Sequence, residues 1–479
     1  MPWSDFMCVT KKTGTFIIID LLIALVSFAL SIFNIDSPEF VFAYSVMVYA
    51  VMIITLYAKH RKWFTFDIIY IMVTFVFYFG QYVELVFAGT VQNNSLNITR
   101  SYNIEFTNKI AMYVIAYVAI MHSAFMLYRA KENNKERLIN LNYNKGRLIA
   151  WCIYLFSLPF GCYYEYTRAA YSSIYGYGTT LYANLAGTSS LLRLSEFLSG
   201  FVISMFILLL LLEEKRKTKW VLMLSIVPYL ILYVSAGSRL QIGLLAIAMA
   251  FVFMCWYRKG RKIEFKGIIL TAVVALVVIY LFALMASVRN YLGIYTSFAA
   301  ALKEASANTS IADSILHVFD EFGCQIVSIA TVFKNCPENV GYNCGKLFLY
   351  GIEIIIPNLF GYQRVFYTEN TDTAFKAFLN NGNTGLGSSF ISESYYCFGF
   401  LGIFVVFLLG LLMEHVTCKL KNIRDLQPYK AFSYFYLVYL LTFTVRSDMF
   451  VMPSSYFQYC FFPILIIWLM RNIRIRVRK

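Results

Sequence analysis

Apolar runs of about 20 residues recur from one end of this 479-residue chain to the other. Each is long enough to cross a hydrocarbon core of ~30 Å. Backbone amides in lipid must be satisfied within the protein, so such runs fold as helices or close into a barrel. These runs are continuous rather than alternating with period two, which selects helices. The composition agrees: 59% of residues are hydrophobic and 14% charged, against roughly 25% charged in soluble proteins. The predicted fold is an all-α polytopic integral membrane protein with about twelve transmembrane helices. They fall near 14–33, 40–58, 66–88, 108–128, 148–165, 190–212, 220–236, 240–257, 268–287, 398–416, 431–446 and 456–470.

The net charge of +15 is read through topology. Cytoplasmic loops of membrane proteins collect Lys and Arg. The connections with KHRK at 59–62, RAKENNKER at 129–137, EEKRKTK at 213–219, RKGRK at 258–262 and KLKNIR at 419–424 fall on one side, with the tail 471–479. Placing them and Lys11 and Lys12 in the cytoplasm puts 29 of the 41 basic residues inside, with both termini. Nucleic acid is not an expected partner; the bilayer is. The start of the chain shows no clear cleavage site for a signal peptide.

The map divides the chain into a bundle over 1–287, a large outer loop over 288–397, and a second membrane portion with a basic tail over 398–479. A loop of this length is no simple connector. Ile311, Ile315, Phe319, Phe322, Ile326, Ile329 and Phe333 recur in it at helical spacing. Leu347 to Phe360 is apolar but too short to span, and is expected at the interface or packed on the bundle. Near its end, Gly382, Gly385 and Gly387 force a turn. A Ser- and Tyr-rich segment bearing Glu393 follows and leads into the next span. Cys336 and Cys344 are close enough in sequence to form a small disulfide loop or to stay as two thiols.

Charges are scarce on the outer side, so those present are informative. Arg168, Arg193, Arg239, Arg289 and Arg446 fall at or near outer ends of spans. A guanidinium holds phosphate oxygens in bidentate fashion and stays charged in a partly dry site. Several facing one cavity would bind a diphosphate; local pairing with Glu165, Glu196 or Asp448 is the plainer alternative. Glu393 is a candidate general base or an orienter of an arginine. His317 and Asp320 share a helical stripe with Asp313 and form a second candidate acid–base group. Tyr171 and Tyr175, among the tyrosines of 166–182, and Tyr395 beside Glu393 are candidates to stack on sugar rings. No phosphate-binding loop, zinc-protease or serine-hydrolase motif occurs, and no metal or cofactor is expected.

The layout, GSR at 237–239, and G-x-G-S-S-x-x-x-E-x-Y-x-x-F-G-x-x-G from Gly385 to Gly402 resemble the O-antigen repeat-unit polymerases of the Wzy type. The resemblance implies a bacterial inner-membrane glycosyltransferase of GT-C-like architecture. Its donor and acceptor would be undecaprenyl-diphosphate-linked oligosaccharides, its active site would face outward, and its outer arginines would be essential. Arg239 and Glu393 carry this over. A chain-length regulator is an expected partner. The competing expectations are an O-antigen ligase with the same donor, and a lipid-linked oligosaccharide flippase. A flippase should show two-fold internal symmetry and charges near mid-span, which the long late loop and the end-placed charges argue against.

Overall fold

A computed structural model describes residues 11–91, 96–128, 143–175, 189–237, 240–258, 297–308, 319–359, 361–379 and 385–472, with isolated positions between 284 and 316. Among the described residues there is no strand. Five long helices open the chain: α1 (Lys11–Leu30), α2 (Pro38–His60), α3 (Phe66–Ala88), α4 (Ile104–Leu127) and α5 (Tyr143–Tyr175). Next come α6 (Ser190–Leu212), α7 (Arg216–Ser225), α8 (Val227–Ser235) and α9 (Leu240–Phe251). Short helices follow: α10 (Phe298–Asn308), α11 (Gln325–Asn335), α12 (Lys346–Glu353) and α13 (Thr371–Phe375). The chain closes with α14 (Phe390–Phe398), α15 (Gly402–Lys421), α16 (Pro428–Phe443), α17 (Met452–Tyr456) and α18 (Phe462–Asn472).

Among the described residues, nine helical stretches are long and apolar enough to span a bilayer. Leu25, Ile54, Leu155 and Phe404 turn outward from them, as lipid-facing side chains should. The protein is therefore a polytopic α-helical membrane protein. The expected spans at 240–257 and 431–446 appear as shorter apolar helices, and 268–287 lies outside the described residues.

Local chemistry sets the ends. Ser37 accepts from the Phe40 amide and Pro38 opens α2, a side-chain cap with proline where no donor is needed. Pro228 breaks the expected span at 220–236 into α7 and α8, because it removes an amide and crowds the preceding turn. Two boundaries differ from the sequence expectation. The tyrosine-rich segment after 165 stays helical to Tyr175. The helical unit expected from 398 begins at Phe390, where Ser389 and Ser392 exchange reciprocal caps. Glu393 therefore lies inside that unit instead of ahead of it. Gly399, at φ 57°, caps α14 and separates it from α15, a conformation L side chains avoid.

α5 packs along α6, α1 along α4, and α15 against α4. Contacts of the late loop gather at one end of this bundle. Residues 319–323 approach α3 so closely that a Cβ on Gly80 would strike the Phe319 carbonyl. Tyr102 donates to Thr331 at 3.0 Å, and Gln458 donates to the carbonyls of Ile354 and Ile355. α12 rests on this end as well, with Gly351 against Phe450. At the opposite end, Lys59 pairs with Glu414 at 2.8 Å and Lys421 reaches His60 at 2.5 Å. Among the described residues, the basic connections at 59–62 and 419–424 thus lie at the end opposite residues 319–323. Cys336 and Cys344 are separate thiols, one buried and one exposed; burial pushes the Cys336 thiol up to about 11.

Candidate functional site

A cavity of about 290 Å³ lies among α5, α6, α8, α16 and the start of the last span. Tyr164, Tyr229, Tyr233, Tyr436, Tyr439 and Tyr459 line it, with Glu165, Arg168 and Glu196. Polar groups inside a membrane bundle are costly and are retained where a polar ligand needs them. The sequence builds this lining at helical spacing: Tyr164 and Arg168 on α5, Tyr229 and Tyr233 on α8, Glu196, Gly200 and Ile203 on α6. Gly200 matters sterically, since a Cβ there would run into the Tyr459 ring.

Arg168 donates to Glu165 at 2.8 Å, and its guanidinium lies 5.9 Å from the Tyr164 ring and 5.6 Å from that of Tyr233. Such stacking favours Arg over Lys. The Tyr164 hydroxyl donates to Glu196 Oε1 at 2.9 Å. Arg193 lies one turn before Glu196 on the same face of α6. Its half-buried guanidinium fits under Gly361, whose φ is +75° and where a Cβ would collide with it. Arg193 Nε is buried and makes no hydrogen bond among the described residues.

The segment carrying Gly361 is held by its own bonds. Arg364 donates to the carbonyls of Glu353 and Ile356, each at 2.7 Å. The Glu353 carboxylate accepts from the amides of Val365 and Phe366. A strap from the late loop is thereby laid over the Arg193 end of the cavity-lining helix. Tyr171 and Tyr175 continue α5 beyond the cavity, with ring centroids 4.5 Å apart.

Glu393 belongs to a different node and is fully enclosed. Oε1 accepts from the Ser388 hydroxyl at 2.9 Å; Oε2 accepts from the amides of Met449 at 2.8 Å and Phe450 at 3.3 Å. Thr371 donates to Ser388, Asn370 to Asp448, and the Gly387 amide to Asp372. The node ties the glycine turn and α13 to the 444–451 connection that carries Arg446 and Asp448. Burial pushes the Asp372 carboxyl above the ordinary aspartate value, and the amides of Gly387 and Leu386 pull it partly back.

The other expected site residues are scattered. Arg446 donates to the Glu321 carbonyl at 3.4 Å, beside the Glu393 node. Asp320 is buried and accepts from Gln81 at 3.0 Å, on the α3 side of the bundle. Tyr395 stacks on Phe333 with centroids 3.8 Å apart, so one ring face is already covered. Arg239, Arg289, His317, Tyr177 and Tyr182 lie outside the described residues. Of the expected set, Arg168 lines the cavity, Arg193 adjoins it and Tyr171 and Tyr175 extend it. The sequence offers no separate mark for the cavity's other tyrosines, because a tyrosine in an apolar run reads as ordinary core. Their recurrence three or four residues apart on several spans was the available signal.

Among the described residues, one group of side chains could hold a metal ion: His60, Asp67 and Glu414, with ligand atoms within 4.8 Å of one another. Lys59 and Lys421 already donate into it, so its two carboxylates are balanced by two ammonium groups. It sits at the basic end, away from the cavity.

The family model for "O-antigen polysaccharide polymerase Wzy" matches residues 16–476. Among curated proteins and among solved structures, none matches the chain. With nearly the whole chain matched and a helical bundle enclosing a polar cavity, the protein belongs to the Wzy family of O-antigen polysaccharide polymerases.

Proposed function

We propose that this protein polymerises polyprenyl-diphosphate-linked oligosaccharide repeat units at the outer face of the bacterial inner membrane, with the tyrosine-lined cavity as the donor site. The observation that carries this is the cavity itself. It sets Arg168 among tyrosine rings, with Arg193 one turn from the cavity-lining Glu196 and under the strap. The diphosphate is the leaving group. Cations at its departing oxygens matter most where water is excluded. Arg168 exchanges Glu165 for phosphate, and Arg193 brings a guanidinium with an unused N–H. Arg446, and Arg239 and Arg289 beyond the described residues, are proposed to complete the cationic set. The tyrosine rings offer faces for sugars, and because the donor is already activated no nucleotide site is needed.

Glu393 fits the positioning role better than the base role. It is fully enclosed and its two oxygens already accept from Ser388, Met449 and Phe450. It holds the connection that carries Arg446. The outward orientation is supported by the basic connections at 59–62 and 419–424 lying at the end opposite residues 319–323 of the late loop.

The test is the surface-polysaccharide gel pattern of a strain lacking this gene. A single repeat unit on the core, restored to a ladder by the wild-type gene, supports polymerisation. Bare core with polymer retained on the lipid carrier indicates a ligase and refutes it.

A further inference from the structure

We propose that Glu196, poised by Tyr164, is the proton acceptor for the incoming sugar hydroxyl; this rests on the polymerase reading above. Three other acidic side chains are each held by protein partners. Glu165 is almost wholly buried and paired with Arg168 at 2.8 Å. Glu393 is enclosed and accepts three hydrogen bonds. Asp372 accepts from the Gly387 amide in the glycine turn. Glu196 differs from all three. It is an exposed residue that lines the cavity, and it forms no ion pair among the described residues.

One oxygen, Oε1, takes the Tyr164 hydroxyl at 2.9 Å. That bond fixes the carboxylate and leaves Oε2 without a protein donor among the described residues. The same Tyr164 ring lies against the Arg168 guanidinium at 5.9 Å. Arg193 stands one turn along α6, a Cβ separation of about 5–6 Å. A cation for a departing diphosphate, Arg168, and a carboxylate for an arriving hydroxyl, Glu196, therefore line one cavity.

The step balances without a co-reactant. The acceptor hydroxyl oxygen bonds to the anomeric carbon of the donor. The bond from that carbon to the diphosphate oxygen breaks, and the electron pair leaves with the diphosphate. The hydroxyl proton passes to Glu196 Oε2 and from there to water.

The experiment measures chain extension from purified lipid-linked repeat units by wild-type protein and Glu196→Gln, Glu196→Asp and Tyr164→Phe variants. All are reconstituted in nanodiscs at equal, monodisperse concentration. Glu196→Gln should lower kcat by about 10²–10⁴-fold, the usual contribution of a positioned base, with the donor KM within about threefold of wild type. Glu196→Asp should retain an intermediate rate, and Tyr164→Phe should lose less than the Gln variant. A Gln variant within about threefold of wild-type kcat, or one whose loss lies wholly in KM, overturns the base role and leaves the polymerase reading standing. A wild-type protein that builds no polymer overturns both.

Discussion

Replacing Glu393 by Ala should dismantle the link between the glycine turn and the 444–451 connection, whereas Gln should largely keep it. The carboxylate is the acceptor for the amides of Met449 and Phe450 and for the Ser388 hydroxyl. Alanine leaves these three donors without a partner in a fully enclosed place. A buried donor left unsatisfied costs about 1–3 kcal/mol. The loss is thus at least about 3 kcal/mol, a large part of the 5–15 kcal/mol that typically holds a domain together. Glutamine presents one carbonyl oxygen to the two amides and can turn its NH₂ toward Ser388, so its cost should be about 1–2 kcal/mol. Thermal unfolding of purified protein in nanodiscs, followed by loss of the monodisperse peak, should rank wild type first, then Gln, then Ala. Chain extension at matched protein should follow the same order, with Gln retaining at least a tenth of wild-type rate. An alanine variant as stable as wild type would refute the node. A stable Gln variant devoid of activity would return Glu393 to the role of base.

Arg168→Lys and Arg193→Lys should each lower extension at least tenfold, because a point charge replaces neither the stacked nor the forked guanidinium; unchanged donor KM and kcat in both would remove them from the diphosphate site. Gly361→Val should displace Arg193 and strain a backbone at φ +75°, so the donor KM should rise while membrane abundance holds; an unchanged KM would count against the strap. The Asp372 carboxyl is held above the ordinary aspartate value of 3.8 by burial. A raised acid stabilises the fold most when protonated, so that contribution is fully present below 3.8 and is lost as pH rises through the raised value. Asp372→Asn keeps an acceptor for the Gly387 amide, and should flatten the fall in thermal stability from acid toward neutral pH; an unchanged pH dependence would contradict this. In spheroplasts, Cys344 should react with a membrane-impermeant maleimide after the other cysteines are replaced; protection until the membrane is opened would invert the topology.

The bundle was legible because lipid leaves a chain few choices. An apolar run of about 20 residues must be helical, and most of the expected spans recur within a few residues of their sequence bounds. Boundaries failed where capping outweighs hydropathy. Ser389 and Ser392 start a helix in a polar segment that hydropathy assigns to the loop, and α5 runs on through tyrosines that read as loop. The site was legible only in part, because its partners come together through packing across the chain. Arg168 stood out as a charge at an outer helix end. Glu165, Glu196 and Asp448 were all open as pairing partners for the arginines, and only the fold shows Glu165 pairing with Arg168 and Glu196 left to the cavity. Gly361 had no visible role until Arg193 was found beneath it.

The most direct test of the central claim uses purified wild-type protein in nanodiscs, supplied with polyprenyl-diphosphate-linked repeat units and no nucleotide. A ladder of lipid-linked oligomers rising by one repeat unit is expected, with free polyprenyl diphosphate released once per linkage. Protein that is folded and binds the donor, yet leaves the repeat units monomeric, would contradict it.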